Sequence, residues 1–149
     1  MEKFIGSSFT RGLSSTKVTL DQIVKAEVVL LLFSGKWCPP CNGFAPLLKK
    51  FYADINKDCI GDKKRVEIVF VSCDNSKEEF TSHAKEFAYA CIPFDDPKIA
   101  ELQDALEIET IPVVTLLKKN GAIAKENVRT FIEKKGTGCF EELRSIAGI

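Results

Sequence analysis

Trp37-Cys38-Pro39-Pro40-Cys41 is the stretch of this 149-residue sequence whose residue types and spacing point to chemistry. Two thiols separated by two residues can close a disulfide or contribute half of a metal site. Tetrahedral zinc takes four ligands, usually from a second cysteine pair or from histidines. The sequence has a single histidine, His83, and Cys59, Cys73, Cys91 and Cys139 each stand alone. Thiol–disulfide exchange, with neither metal nor cofactor, is therefore the reading of the pair. The first thiol of a Cys-x-x-Cys at the start of a helix faces the positive end of the helix dipole, which stabilises a thiolate. That makes Cys38 the candidate nucleophile and Cys41, one turn in, the candidate resolving thiol. Pro39 and Pro40 lack N–H groups and stiffen the turn between them.

The flanking patterns position the pair between a strand and a helix. Val28-Val29-Leu30-Leu31-Leu32-Phe33 is a short, continuous apolar run and reads as a buried strand ending at Ser34. After Cys41, Phe44, Leu47, Leu48, Phe51 and Ile55 recur at helical spacing, which predicts a helix from about Pro40 to Asn56 with a kink at Pro46. Lys57 to Lys64 reads as a surface loop, its basic Lys63-Lys64-Arg65 solvated, and Val66 to Val71 as a second strand. Strand, helix, strand in this order predicts a right-handed parallel crossover.

Ser76-Lys77-Glu78-Glu79 fits a capping box, opening a helix that buries Phe80, Ala84, Phe87 and Ala88. On that helix, His83 sits among Ser82, Lys85 and Glu86 and reads as a solvated surface residue. Asp96-Pro97 predicts another helix start, with Ile99, Leu102 and Leu106 as its apolar stripe. Val113 to Leu117 reads as a strand, joined through Asn120-Gly121 to an antiparallel partner over Ala122–Lys125. A last helix is expected from about Gly138 to Ala147, burying Phe140, Leu143 and Ile146. Residues 1–16, rich in Gly, Ser and Thr, read as a loosely packed lead-in, followed by a short edge strand at Lys17–Leu20 and a helical turn at Asp21–Ala26. The sum is one α/β domain over residues 1–149, a central mixed β-sheet with helices on both faces.

Composition excludes several classes of function. Lys plus Arg and Asp plus Glu both number 21, so the chain has no basic footprint for nucleic acid. No apolar run approaches the roughly 18–20 residues that span a bilayer. No secretory signal is visible, so a reducing, cytoplasmic setting and a monomer are expected. The four isolated cysteines read as structural, because free cysteine packs as a small hydrophobe. Among them Cys91, close to Pro93-Phe94, is the candidate for secondary oxidation. Asp74 reads as a turn former or helix cap in preference to a proton relay.

The string Trp37-Cys38-Pro39-Pro40-Cys41, with Gly43-Phe44, Pro46 and Phe51-Tyr52, resembles the thioredoxin superfamily and within it the tryparedoxin and nucleoredoxin branch. Val69-Phe70-Val71-Ser72 with Asp74, then Pro93-Phe94 and Ile111-Pro112, extend the similarity over about Lys17 to Thr130. The resemblance implies a thioredoxin fold and a dithiol that reduces protein disulfides. It implies peroxiredoxin-type clients and an upstream dithiol reductant as partners, or alternatively a nucleoredoxin-like module whose cysteine pair gates association with a partner. It also implies a cis Ile111–Pro112 bond facing the cysteines, with the Ile111 backbone pairing with an extended substrate. Trp37, Pro39, Pro40, Ile111 and Pro112 are thus the candidate substrate-contacting residues. Leu32 stands where thioredoxins place a buried aspartate that assists proton transfer. Tyr89 stands in place of a tryparedoxin tryptophan, and Arg129 lies one position from a substrate-contacting arginine.

Overall fold

Every residue of the strand Val28–Ser34 is buried, because the strand has a neighbour on each side and helices over each face. The computed structural model describes residues 1–61 and 63–149. In chain order its elements are α1 (Glu2–Ile5), β1 (Phe9–Arg11), β2 (Lys17–Val18), α2 (Leu20–Val24), β3 (Val28–Ser34), α3 (Pro39–Asn56), β4 (Val66–Ser72) and α4 (Lys77–Ala84). There follow β5 (Ala90–Cys91), α5 (Lys98–Ala105), β6 (Val113–Leu117), β7 (Ile123–Lys125), α6 (Arg129–Lys135), a 3-10 turn at Gly136–Cys139, and α7 (Phe140–Ile146). The strands form a seven-stranded sheet in the order β2-β1-β5-β4-β3-β6-β7. β3 runs parallel to β4 in unbroken register from Val28↔Val66 to Ser34↔Ser72, and antiparallel to β6.

Strand alternation sends side chains to opposite faces. Val28, Leu30 and Leu32 pack with Phe44, Leu48 and Phe51 of α3, and with α6 and α7, on one face. Val29, Leu31 and Phe33 pack with Ile23 and Leu102 on the other. Two apolar layers on one sheet fix where β3 ends, and therefore where the cysteines emerge.

Several expectations change in detail. The lead-in is not loosely packed: Ile5 and Phe9 are each 1% exposed, and β1 pairs with both β2 and β5. Arg11 at the end of β1 reaches the fully buried Glu67 of β4 at 2.9 and 3.1 Å. That carboxylate, buried near the start of a mostly apolar strand, demands a cation, and the N-terminal segment supplies it. The helix after Ser76 stops at Ala84, so Phe87 and Ala88 lie beyond it. Ser76 Oγ accepts from the Glu79 N–H at 3.1 Å, but Glu79 accepts from Asn75 rather than Ser76, so the reciprocal box is displaced by one residue. α5 starts at Lys98, one residue later than the sequence suggests, with Asp96 Oδ1 still accepting from the Lys98 N–H at 2.9 Å. β5 and α6 carry too few residues for a periodic signal, and the C-terminal helix opens as a 3-10 turn before Phe140. α3 continues through Pro46 to Asn56. The expected loop over 57–64 includes residue 62, outside the described residues. Asn56 tethers its far end, accepting from the N–H groups of Arg65 and Val66 and donating to the Val66 carbonyl.

Candidate active site

The pair stands at the seam between β3 and α3. Cys38 is the N-cap residue of α3 with extended backbone, and Pro39 and Pro40 occupy its first two helical positions. Pro is tolerated there because those N–H groups lack intrahelical partners anyway. With both removed, the Cys41 N–H is the remaining donor of that first turn, since the Asn42 N–H already bonds the Cys38 carbonyl at 3.1 Å. Negative charge formed on Cys38 thus faces a helix end whose dipole favours it.

Both thiols are free and buried, at 4% and 2% exposure. Their surroundings differ. Cys38 Sγ lies 3.7 Å from the carbonyl oxygen of Ile111, the residue before Pro112, and the Ile111–Pro112 peptide is cis. Cys41 is turned into the α3 side of the core. Burial and the neighbouring Cys38 thiol push it up to about 11, against the pull of Gly35 backbone and Ser34 hydroxyl hydrogen bonds. A thiol so placed stays protonated until something removes its proton.

Trp37 projects over an open groove of about 460 Å³ that runs along Cys73, Asp74, Phe94, Gln103 and Ile111. It is 51% exposed, and its indole N–H is fixed to the Cys73 carbonyl at 2.8 Å. Gly35 makes that placement possible: a Cβ there would stand 2.6 Å from Trp37 Nε1. Trp37 is therefore a braced surface aromatic rather than a core residue, an amphipathic platform of the sort that protein interfaces use. Pro39 and Pro40 are exposed beside it, and Pro112 is buried beneath.

Asp74 neither caps α4 nor forms the expected simple turn. Its Oδ1 accepts from the Lys36 N–H at 2.7 Å, and its Oδ2 accepts from Ser72 Oγ at 2.7 Å and meets His83 Nδ1 at 3.2 Å. Burial alone pulls its carboxyl upward, but the bonds from His83, Lys36 and Ser72 prevail and hold it below the usual carboxylate range. His83 is not the solvated residue expected from its polar neighbours. It is 6% exposed, packed edge-on to Phe70 at 4.9 Å and to Phe87 at 5.4 Å. Position 83 follows Phe80 by three and precedes Phe87 by four, so the apolar spacing itself contained the signal. The other four cysteines differ from one another. Cys91 is fully buried and pushed by burial up to about 12, which makes it a poor target for oxidation. Cys139 is also buried, Cys59 is partly exposed in a remote loop, and Cys73 lines the groove with Gln103 Nε2 3.5 Å from its sulfur. Among the described residues, no group of three or more His, Cys, Asp or Glu side chains converges to hold a metal ion. Among them, too, no helix is long and apolar enough to cross a membrane.

A dithiol at the N-terminus of the helix after a central strand, opposite a cis proline and beside a mixed sheet, defines a thioredoxin fold built for thiol redox chemistry. The chain belongs to the thioredoxin-like family, whose model matches residues 26–123. Tryparedoxin of Trypanosoma brucei brucei is 34% identical over 118 residues, spanning 78% of each chain. The solved thioredoxin of Wuchereria bancrofti superposes with a TM-score of 0.76 at 31% identity, covering 89% of both chains. Probable nucleoredoxin 1 of Arabidopsis thaliana is 26% identical over 89% of this chain, but the chain spans only 22% of that relative's length. Membership of this family gives the chain a thiol redox role.

Proposed function

We propose that this chain is a protein-disulfide reductase, a tryparedoxin-like electron carrier acting as a monomer in the cytoplasm. Cys38 is its nucleophile and Cys41 its resolving thiol. One observation carries the reading most: Cys38 Sγ stands 3.7 Å from the Ile111 carbonyl at the groove, with a second free thiol one helical turn behind it. Backbone polar groups of Ile111 beside a nucleophilic sulfur suit an extended segment of a client protein, which pairs there as an added strand would. Trp37, Pro39, Pro40 and Pro112 shape the ground on which that segment rests.

In the cycle, Cys38 thiolate attacks a client disulfide and forms a mixed disulfide, releasing one client sulfur as thiolate. Cys41 thiolate then attacks Cys38 Sγ, forming the Cys38–Cys41 bond and releasing the second client sulfur. Two electrons pass to the client, and an upstream dithiol returns them. Peroxiredoxin-type proteins, which turn over through disulfides, are the proposed clients.

Trp37 is the single tryptophan and adjoins the couple, so its fluorescence reports the redox state. Titration against dithiol/disulfide buffers is expected to give one two-electron transition at about −270 to −200 mV. A far more oxidising midpoint would instead assign an oxidase or isomerase. Failure of Cys38 and Cys41 to form a disulfide at any potential would overturn the enzyme reading and leave a binding module.

A further inference from the structure

The exchange cycle leaves one proton unaccounted for. Cys41 must lose it before attacking Cys38, yet its burial holds the thiol up at about 11. Leu32, one β3 position that faces Cys41, is apolar and can accept nothing. Behind the pair lies a small cavity of about 20 Å³, lined by Leu32, Ser34, Cys41, Phe44, His83 and Tyr89, among others. That volume admits one water, and a buried water needs two to four polar partners. The lining offers them: the Cys41 thiol, the Ser34 and Tyr89 hydroxyls, and the imidazole of His83. The Tyr89 hydroxyl is buried with no hydrogen-bond partner among the described residues, which itself marks a place where a water belongs.

The orientation of the imidazole is fixed by Asp74. An ionised carboxylate can only accept, so the 3.2 Å contact to Asp74 Oδ2 is donated by Nδ1–H, and in the neutral ring the lone pair is then on Nε2. Lys36 N–H and Ser72 Oγ hold the carboxylate in turn, and Phe70 and Phe87 hold the ring. Lys49 also lines the cavity. Glu79 of α4 accepts from the Asn75 N–H, and Glu86, beyond the end of α4, pairs with Lys36.

We propose that His83 is the general base for Cys41, taking its proton through one water in this cavity, with Asp74 as the positioning residue that orients the ring. The inference rests on the exchange reading and specifies its second step. Starting from the mixed disulfide, the Cys41 S–H proton passes to the water as the water's proton passes to His83 Nε2. Cys41 thiolate then attacks Cys38 Sγ. The Cys38–Cys41 bond forms, the Cys38–client bond breaks, and the client sulfur leaves as a thiolate carrying the electron pair. His83 returns its proton to solvent or to that thiolate.

The aromatic disulfide DTNB separates the two steps, because each releases one coloured thionitrobenzoate. Stopped-flow traces would be recorded in a Cys59→Ser background, with the Cys38→Ser protein as blank. The first phase reports Cys38 and the second reports Cys41. In the unsubstituted chain the second phase is expected to depart from the tenfold rise per pH unit of an unassisted thiol, because a positioned base removes the proton. In His83→Gln the first phase stays unchanged. The second slows about 100-fold at pH 7, then climbs tenfold per pH unit toward the thiol's own titration at about 11. A second phase in His83→Gln with the original rate and pH profile would overturn the proposal. Should His83→Gln fail to fold, the unsubstituted profile decides: a climb of tenfold per unit without levelling overturns it equally. Release of one thionitrobenzoate instead of two has a different meaning, since then the pair does not close and the exchange reading itself fails.

Discussion

Cys38 and Cys41 are one helical turn apart, yet they face different solvents. Cys38 Sγ lies against the carbonyl of Ile111, a residue that lines the open groove together with the exposed Trp37. Cys41 looks into the α3 side of the core, among Leu32, Phe44 and His83. Both thiols are buried, but only Cys38 adjoins a groove-lining residue. The difference agrees with the proposed division of the cycle: the sulfur beside the groove attacks, and the one behind it acts after Cys38 has brought the client bond to it. Sheltering also has a use. A resolving thiol that is protonated at rest does not close prematurely on other disulfides, and it becomes a nucleophile only when its proton has somewhere to go.

The two single substitutions should therefore fail in different ways, and this is the largest effect expected. Cys38→Ser should reduce turnover of a disulfide protein to the uncatalysed background, with no adduct formed. Cys41→Ser should also end multiple turnover, but each chain should capture one client as a mixed disulfide, visible by mass spectrometry and released by reductant. Equal adduct formation by both variants would mean that either sulfur can attack, and the division of labour drawn from their surroundings would be wrong.

Much of this was legible beforehand, and the part that was not has a physical reason. The Cys-x-x-Cys string, the apolar run of β3 and the helical spacing from Phe44 to Phe51 are local patterns, and local patterns set local structure. The cavity side escaped because its parts come from separate elements. His83 lies among Ser82, Lys85 and Glu86, and polarity of neighbours outweighed its place on the Phe80–Phe87 stripe. Asp74 follows a strand, where turn chemistry is the usual explanation, and nothing in the sequence brings Lys36 to it from 38 residues away. The N-terminal segment escaped for a related reason. β1 is three residues long and has no period to detect, and its value lies in Arg11 meeting Glu67 across 56 positions. The one available hint was Glu67 itself, a charge within an otherwise apolar strand.

A smaller effect tests the groove side. Trp37→Ala removes a half-exposed aromatic platform but leaves both thiols in place, so the chemistry with a small disulfide should stay intact. For a protein client, loss of one such anchor costs about 1–2 kcal/mol, which raises KM about tenfold. Steady-state kinetics on a protein disulfide and on DTNB, run side by side, give the ratio. A parallel loss on both substrates would show instead that Trp37 braces the Cys73–Asp74 loop through its indole N–H, and that its surface face is incidental.

Asp74 joins the two sides, accepting from Lys36 next to Trp37 and from His83 beside the Cys41 cavity. Its effect on stability has a definite sign. Burial works against the charged form, but the bonds from His83, Lys36 and Ser72 outweigh it, so the folded carboxyl titrates below its ordinary value near about 3.9. A group depressed on folding contributes stability that is complete above the unfolded value and is lost as pH falls through the folded one. Asp74→Asn should therefore be less stable than the parent chain at pH 7, by about 1.5–3 kcal/mol for a charge-assisted hydrogen bond. The gap should close as the pH is lowered below about 4, because the parent then loses the same charge. Urea unfolding of both proteins at pH 7, 5 and about 3 measures it. A gap that holds constant across that range would mean that the carboxylate charge contributes nothing and that Asp74 acts through shape alone. A gap that widens in acid would reverse the sign, and Asp74 would then have to be the group that burial, and not its three donors, controls.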